Sequence, residues 1–232
     1  MRGLFVTGTD TEAGKSVLSA CLLAAMRAAG AEPRAVKPVL TGLADPPAHG
    51  WPADDELLAS AAGLDRRDVA PLRFGPPASP HLAAELDGET IDPQQLLART
   101  REALAGAGTA VVEGVGGLLV PLCESYLVRD LAVELGLPLL VAARPGLGTI
   151  NHTLLTIEAA RAAGLEVRAV VLTPWPPQPE AIERSNRDTI ARLGAVEVAT
   201  LRTLAGPGAE ELARAGAELP WRRWLGAARS GT

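Results

Sequence analysis

Short, nearly continuous apolar runs alternate along the chain with longer stretches in which apolar residues recur at helical spacing. GLFVTG (residues 3–8), RAVKPV (34–39), TAVVEG (109–114), LPLLVAA (137–143) and VRAVVLT (167–173) predict strands buried on both faces, as in a parallel sheet covered by helices. Between them, residues 15–29, 54–62, 92–107, 128–135, 149–163 and 179–193 predict helices. In the first, Val17, Leu18, Cys21, Leu22 and Ala25 form a stripe that can lie on the sheet.

Strand–helix alternation of this kind implies right-handed crossovers and a single-domain, three-layer α/β/α sandwich with a mostly parallel sheet, spanning residues 1–232. Ligands of such sheets gather outside the carboxyl ends of the strands, so the residues following each strand are the candidates for chemistry. Two Pro/Gly clusters, LADPPAHGWPADD and RFGPPASPH, predict loops over that edge. His49 in the first is expected to face solvent. Residues 220–232 form a tail expected to fray, although a helix that packs Trp221 and Trp224 on the body is the commoner outcome for such a sequence.

After the first strand comes VTGTDTEAGKS. Its ending, Gly-Lys-Ser, is that of a phosphate-binding loop, but five residues (Thr9 to Ala13) separate Gly8 from Gly14 where the usual pattern has four. The glycines permit close approach of backbone to a ligand, and Lys15 and Ser16 open a helix whose free N–H groups favour phosphate. Lys15 is placed to bridge phosphate oxygens and Ser16 to bind Mg²⁺. Glu12 brings a carboxylate close to the same phosphates.

Lys37 lies within the second strand. Either it points at an anion at the strand end, or its stem follows the sheet edge with its head in water. Asp54 and Asp55 follow: Asp54 as an N-cap, Asp55 in the first helical turn, free to reach a metal. Glu113 ends the third apolar run, where P-loop proteins supply a second acidic group to Mg²⁺, and Gly114, Gly116 and Gly117 suggest backbone packed close to a ligand. Lys15, Ser16, Lys37, Asp55 and Glu113 together read as a phosphoryl-transfer site.

Composition narrows the field. The 232 residues are 47% hydrophobic and 21% charged with net charge −5, a globular balance that offers no general attraction to nucleic acid. Aromatics at 3% argue against base-stacking platforms. Cys21 and Cys123 have no CxxC partner, and no apolar run approaches the roughly 20 residues of a bilayer span, so a cytoplasmic protein with no membrane partner is expected. His81 and His152 fit no catalytic or zinc-like spacing.

VTGTDTEAGKS, VKPVLTG, DDELL, PASPH, VVEGVGGLLVPL and GLGTINHTLLT, in this order, resemble the dethiobiotin synthetase family, whose own phosphate loop has the wider glycine spacing. The resemblance covers residues 3–164 and weakens beyond. It implies an ATP- and Mg²⁺-dependent cyclo-ligase acting on 7,8-diaminononanoate and CO₂, working as a homodimer with the substrate site at the interface. It implies Lys37 and Lys15 as catalytic residues, with Ser16, Asp55 and Glu113 for the metal. Nucleotide contacts are implied for Glu12, Ala13, Gly14, Val17, Gly114, Val115, Gly116 and Thr173, besides Lys15, Ser16, Asp55 and Glu113. Substrate contacts are implied for Thr11, Thr41, Gly148, Thr149, Ile150 and Asn151, the last four reaching the neighbour's substrate tail. Asp55 is favoured over Asp54 as the acid because the family's acid directly precedes a pattern like ELL. Where the family carries Asn for the adenine base, this chain reads Thr173–Pro174, so other nucleoside triphosphates are expected to serve alongside ATP. The alternative is a nucleotide-switch ATPase of the ParA/MinD kind; its signature lysine is missing between residues 9 and 13.

Overall fold

A computed structural model describes residues 2–44 and 50–226 of the chain. His49 and the tail beyond Gly226 lie outside the described residues. Six strands form one parallel sheet in the order β10-β9-β8-β1-β5-β2. They are β1 (Arg2–Gly8), β2 (Pro33–Val36), β5 (Thr109–Gly117), β8 (Leu139–Ala143), β9 (Val167–Trp175) and β10 (Val198–Arg202). Strand β1 sits in the middle, between β5 and β8, and the chain order reverses across it. That is the switch point at which open α/β sheets bind their ligands.

Each of the five expected strands is present, but the second is divided. β2 stops at Val36, and Val39–Leu40 forms β3, which pairs with β4 (Leu72–Arg73) in a separate parallel ribbon. Pro38 has no N–H to continue a ladder, so a break between the two pieces is the physical consequence of its position. Strand β10 and the short antiparallel ribbon of β6 (Pro121–Cys123) with β7 (Tyr126–Leu127) were not among the expectations. β10 is an edge strand, mostly half-buried, and its VATLR lacks the continuous apolar run that marks the inner strands.

Helices α1 (Lys15–Ala28), α2 (Asp54–Ala62) and α8 (Ala209–Ala217) cover one face. On the other lie α3 (Pro80–Leu86), α4 (Pro93–Ala103), α5 (Val128–Leu135), α6 (Thr149–Ala162) and α7 (Ala181–Gly194). The alternation of β1 shows the arrangement: Leu4 and Val6 join the α1 core, Phe5 the opposite one. Helix α4 starts one residue later than the pattern suggested because Asp92 is its N-cap, with Oδ1 accepting from the amides of Gln94 at 2.8 Å and Gln95 at 3.0 Å. A last turn, α9 (Trp221–Trp224), buries both tryptophans on the body, as the commoner outcome for that segment required. No helix among the described residues is long and apolar enough to cross a membrane.

Helix α1 is buried almost all round, since it lies between the sheet on one side and α2 and α8 on the other. Burial also pushes the Cys21 thiol of this helix up to about 12, leaving it un-ionised and inert at neutral pH. Helix α8 crosses α1 backbone to backbone: a Cβ placed on Gly216 would stand 1.9 Å from the Cys21 carbonyl oxygen. Gly216→Ala is therefore expected to force the helices apart and lower stability by about 1–3 kcal/mol, measurable by urea unfolding; an unchanged midpoint would reject this contact.

Candidate active site

The site is assembled from four strand ends. Strand β1 runs into the glycine loop, whose extra residue is absorbed in part by left-handed backbone at Glu12 (φ 58°). Gly14 then caps α1 at φ 87°, and its carbonyl accepts the Leu18 amide at 3.0 Å. A Cβ at Gly14 would meet Thr173 Cγ2 at 2.5 Å, so the end of β9 packs directly on the loop. Lys15 is buried and donates to the Asp10 carbonyl at 3.0 Å, folding its ammonium back under the loop. Burial pulls its pKa below the ordinary value; Glu113 opposes this shift and the Lys37 charge adds to it.

Glu113, 1% exposed in β5, is the hub. Its Oε1 accepts from Ser16 Oγ at 2.8 Å and from Lys37 Nζ at 2.8 Å. Its Oε2 is buried and has no hydrogen-bond partner among the described residues. Lys37, 3% exposed, also donates to Asp54. Burial alone would depress the Lys37 pKa, but the Glu113 and Asp54 carboxylates outweigh it and hold the ammonium above its ordinary value. Burial likewise works upward on Asp54, and the Lys37 charge and hydrogen bond overcome it, so its pKa falls. Of the two readings of Lys37, the structure selects the one aimed at anionic groups at the strand end.

Asp55 does not join this cluster. It is fully buried and takes Arg66 Nε at 2.6 Å and the Arg73 guanidinium instead. Burial raises and the two arginines lower its pKa, with a net downward shift. Consecutive helical residues project about 100° apart, so only one of the two acids can face Lys37. Asp54 is that residue, and it is not the N-cap, which is Ala53. The expectation for Asp55 is corrected accordingly: it holds α2 to the β4 side of the fold. The signal was present in Arg66 and Arg73 downstream, but their pairing with Asp55 depends on the fold.

Gly114 and Val115 follow Glu113 in β5, with side-chain positions turned to the core. A Cβ on Gly114 would press on Val128 at 2.9 Å and Phe5 at 3.1 Å, and Val115 packs against the same core. A Cβ on Gly116 would meet Val120 Cγ2 at 2.8 Å, with Thr11 Oγ1 of the glycine loop 3.8 Å away. Ala13 is buried and Val17 packs on the α1 core, while Thr11 and Glu12 are exposed at the rim. Thr41 follows β3 in a half-buried loop secured by the Gly42 amide on Pro76 O at 2.9 Å. Gly148 caps α6 at φ 86°, with Thr149 buried, Ile150 half-buried and Asn151 exposed. That segment touches the glycine loop through Arg144, whose Nη2 lies 3.2 Å from Asp10 Oδ2. Both His81 and His152 are exposed and make no part of the cluster.

A Gly-Lys-Ser loop at the switch of a parallel sheet, with a strand carboxylate on its serine, places the chain among P-loop nucleotide-binding proteins. The family model described as an AAA domain matches residues 2–201. ATP-dependent dethiobiotin synthetase BioD of Anaeromyxobacter dehalogenans strain 2CP-1 is 43% identical over 197 residues, covering 83% of this chain and 86% of the relative. The enzyme of the same name from Mycobacterium sp. strain KMS is 41% identical over 86% of this chain and 87% of its own. That from Bacillus subtilis strain 168 is 37% identical over 85% of each. The chain belongs to the ATP-dependent dethiobiotin synthetase family. Among solved structures, the MinC:MinD cell division protein complex of Aquifex aeolicus superposes with TM-score 0.57 over 100% of this chain and 99% of the other, at 13% identity, a likeness of fold alone.

The paired charges set a pH dependence. The lowered Asp54 value means its contribution to stability is present above its ordinary 3.8 and is lost as pH falls through the folded value. The raised Lys37 value means its contribution is complete below 10.5 and is lost only as pH rises through the folded value. Wild type should therefore lose more stability than Asp54→Asn between about pH 5 and about pH 3 in urea titrations. Equal losses would show that the pair contributes nothing. Some acid sensitivity will persist in the variant, because Asp55 is shifted in the same direction.

Proposed function

We propose that this chain catalyses the ATP-dependent carboxylation and ring closure of 7,8-diaminononanoate with CO₂, giving dethiobiotin, ADP and phosphate. The observation that carries the reading is a pair of buried ammonium groups, Lys15 and Lys37, set with Glu113 at the carboxyl edge of the sheet behind a glycine loop. One substrate amine adds to CO₂ and loses a proton, forming a carbamate. A carbamate oxygen attacks the γ-phosphorus as the bond to ADP breaks. The second amine then attacks the carbonyl carbon, closing the cyclic urea and expelling phosphate. Negative charge on the carbamate and the transferring phosphoryl group builds where Lys15 and Lys37 stand. Thr41 is assigned to the substrate's reacting end, Thr11 to the substrate, and Glu12 to the substrate's amino end or the metal shell.

The residues present suit Mg²⁺. Glu113 Oε2 is a buried carboxylate oxygen without a partner among the described residues, Ser16 Oγ is hydrogen-bonded to the same carboxylate, and Asp54 keeps an exposed face. Those three side chains would hold the ion, Asp54 replacing the expected Asp55. When bound, the ion supplies charge neutralisation between the outer phosphates. Such ions retain several waters, so a small protein donor set is sufficient; no cluster of three or more His, Cys, Asp or Glu side chains exists among the described residues.

We further propose that the enzyme is a cytoplasmic homodimer, with residues 148–151 receiving the tail carboxylate of the neighbour's substrate. The first-turn amides beyond Thr149 at the α6 N-terminus suit an anion, and Leu147 beside it is 90% exposed, an apolar side chain that a second copy would cover. Two unlinked cysteines suit a reducing compartment. A nucleotide-switch role rests only on the shared fold, whereas the synthetase relatives match in sequence over most of their length.

The purified protein, given diamine, bicarbonate, Mg²⁺ and ATP, is expected to form dethiobiotin; normal nucleotide binding without product would reject the reading. Lys15→Ala and Lys37→Ala should each lower kcat by about 10²-fold or more. Near-normal turnover in either variant would remove that lysine from its role.

Base choice is expected to be loose. The residues after Leu172 in β9 are Thr173, packed on Gly14, then Pro174 and Trp175, and the Trp175 carbonyl is taken by the Thr203 amide at 3.0 Å. That leaves no side-chain amide at this point to read an adenine edge. In competition among ATP, CTP and GTP with the diamine present, CTP and GTP should support turnover; a strict preference for ATP would refute this.

A further inference from the structure

Helix α7 buries one stripe, Asn186, Ile190 and Gly194, at i, i+4 and i+8. An amide at the head of an otherwise apolar stripe is costly to bury unless its hydrogen bonds are made. Asn186, 7% exposed, makes two: Nδ2 donates to the Pro145 carbonyl at 2.9 Å and to the Gly146 carbonyl at 3.1 Å. Those residues form the turn between β8 and the α6 N-terminus. The Gly146 carbonyl also receives the Thr149 amide at 3.3 Å, so the contact reaches the first residue of α6. On its other side the turn is tied to the glycine loop through Arg144 and Asp10. The next residue of α7, Arg187, lies over the Trp175 ring at 5.9 Å, at the end of the strand that packs on Gly14. Two adjacent residues of one helix thus grip the segments on either side of it.

We propose that Asn186 is a positioning residue that sets residues 146–151 for the substrate tail, without touching substrate itself. This rests on the assignment of that segment to the tail carboxylate given above. Asn186→Asp would turn a donor into an oxygen facing two carbonyl oxygens, Asn186→Ala would remove the link, and Asn186→Gln would keep the amide.

The experiment combines steady-state kinetics on the three variants with hydrogen exchange of the amides of residues 146–152. In Asn186→Ala and Asn186→Asp, KM for the diamine should rise about tenfold with kcat and ATP KM changed less than threefold. Exchange in 146–152 should quicken at least tenfold, and Asn186→Gln should recover part of both effects. A loss of thermal stability with diamine KM and exchange unchanged would mark a purely structural residue and overturn the proposal. So would a fall in kcat alone. If Ala and Asp variants fail to fold, Asn186→Gln decides: wild-type KM and exchange in a variant of shifted amide position would count against positioning. Should wild type make no dethiobiotin, the reaction assignment fails, while faster exchange of 146–152 in the variants still tests the tether.

Discussion

The active edge depends on one constraint: an ammonium group buried inside a sheet edge must be matched by negative charge. Lys37 is 3% exposed, and the Glu113 and Asp54 carboxylates are what make that tolerable. The match ties three separate elements together, since Lys37 follows β2, Glu113 belongs to β5 and Asp54 opens α2. Ser16 adds the start of α1 to the same carboxylate. A folded chain with this pairing already has its phosphate loop, its cations and its acids at fixed separations before any substrate arrives, which is the preorganisation that charge-stabilising catalysis requires.

Around that hub, polar pairs away from the chemistry do the positioning. Asp55, adjacent to Asp54, is held by Arg66 and Arg73 and so fixes the rotation of α2 that turns Asp54 towards Lys37. Arg144 and Asn186 secure the turn before α6 from two sides, and Thr173 fills the space beneath Gly14. In each case a neighbour in sequence or in space fixes the position of a group at the carboxyl edge of the sheet.

Much of this was legible in the chain because it is local. The glycine loop, Lys15, Ser16, Glu113 and five of the six main-sheet strands follow from continuous apolar runs and the residues that end them. The misses have a common cause. β10 is a half-buried edge strand and carries only a weak pattern. Pro38 splitting a strand was readable from its missing N–H, whereas the partner that β3 takes, β4, lies more than thirty residues downstream.

By itself the amino-acid sequence determined the strand–helix alternation, the phosphate loop with its unusual spacing, and the residue types available for charge and metal chemistry, because periodicity and short motifs act over neighbouring residues. Only the tertiary structure decided which of two adjacent aspartates meets Lys37, that Arg66 and Arg73 claim the other, and that Asn186 holds a turn forty residues away. Those outcomes depend on helix rotation and on contacts between distant segments, and a one-residue rotation of about 100° separates the acid that pairs with Arg66 and Arg73 from the one that meets Lys37.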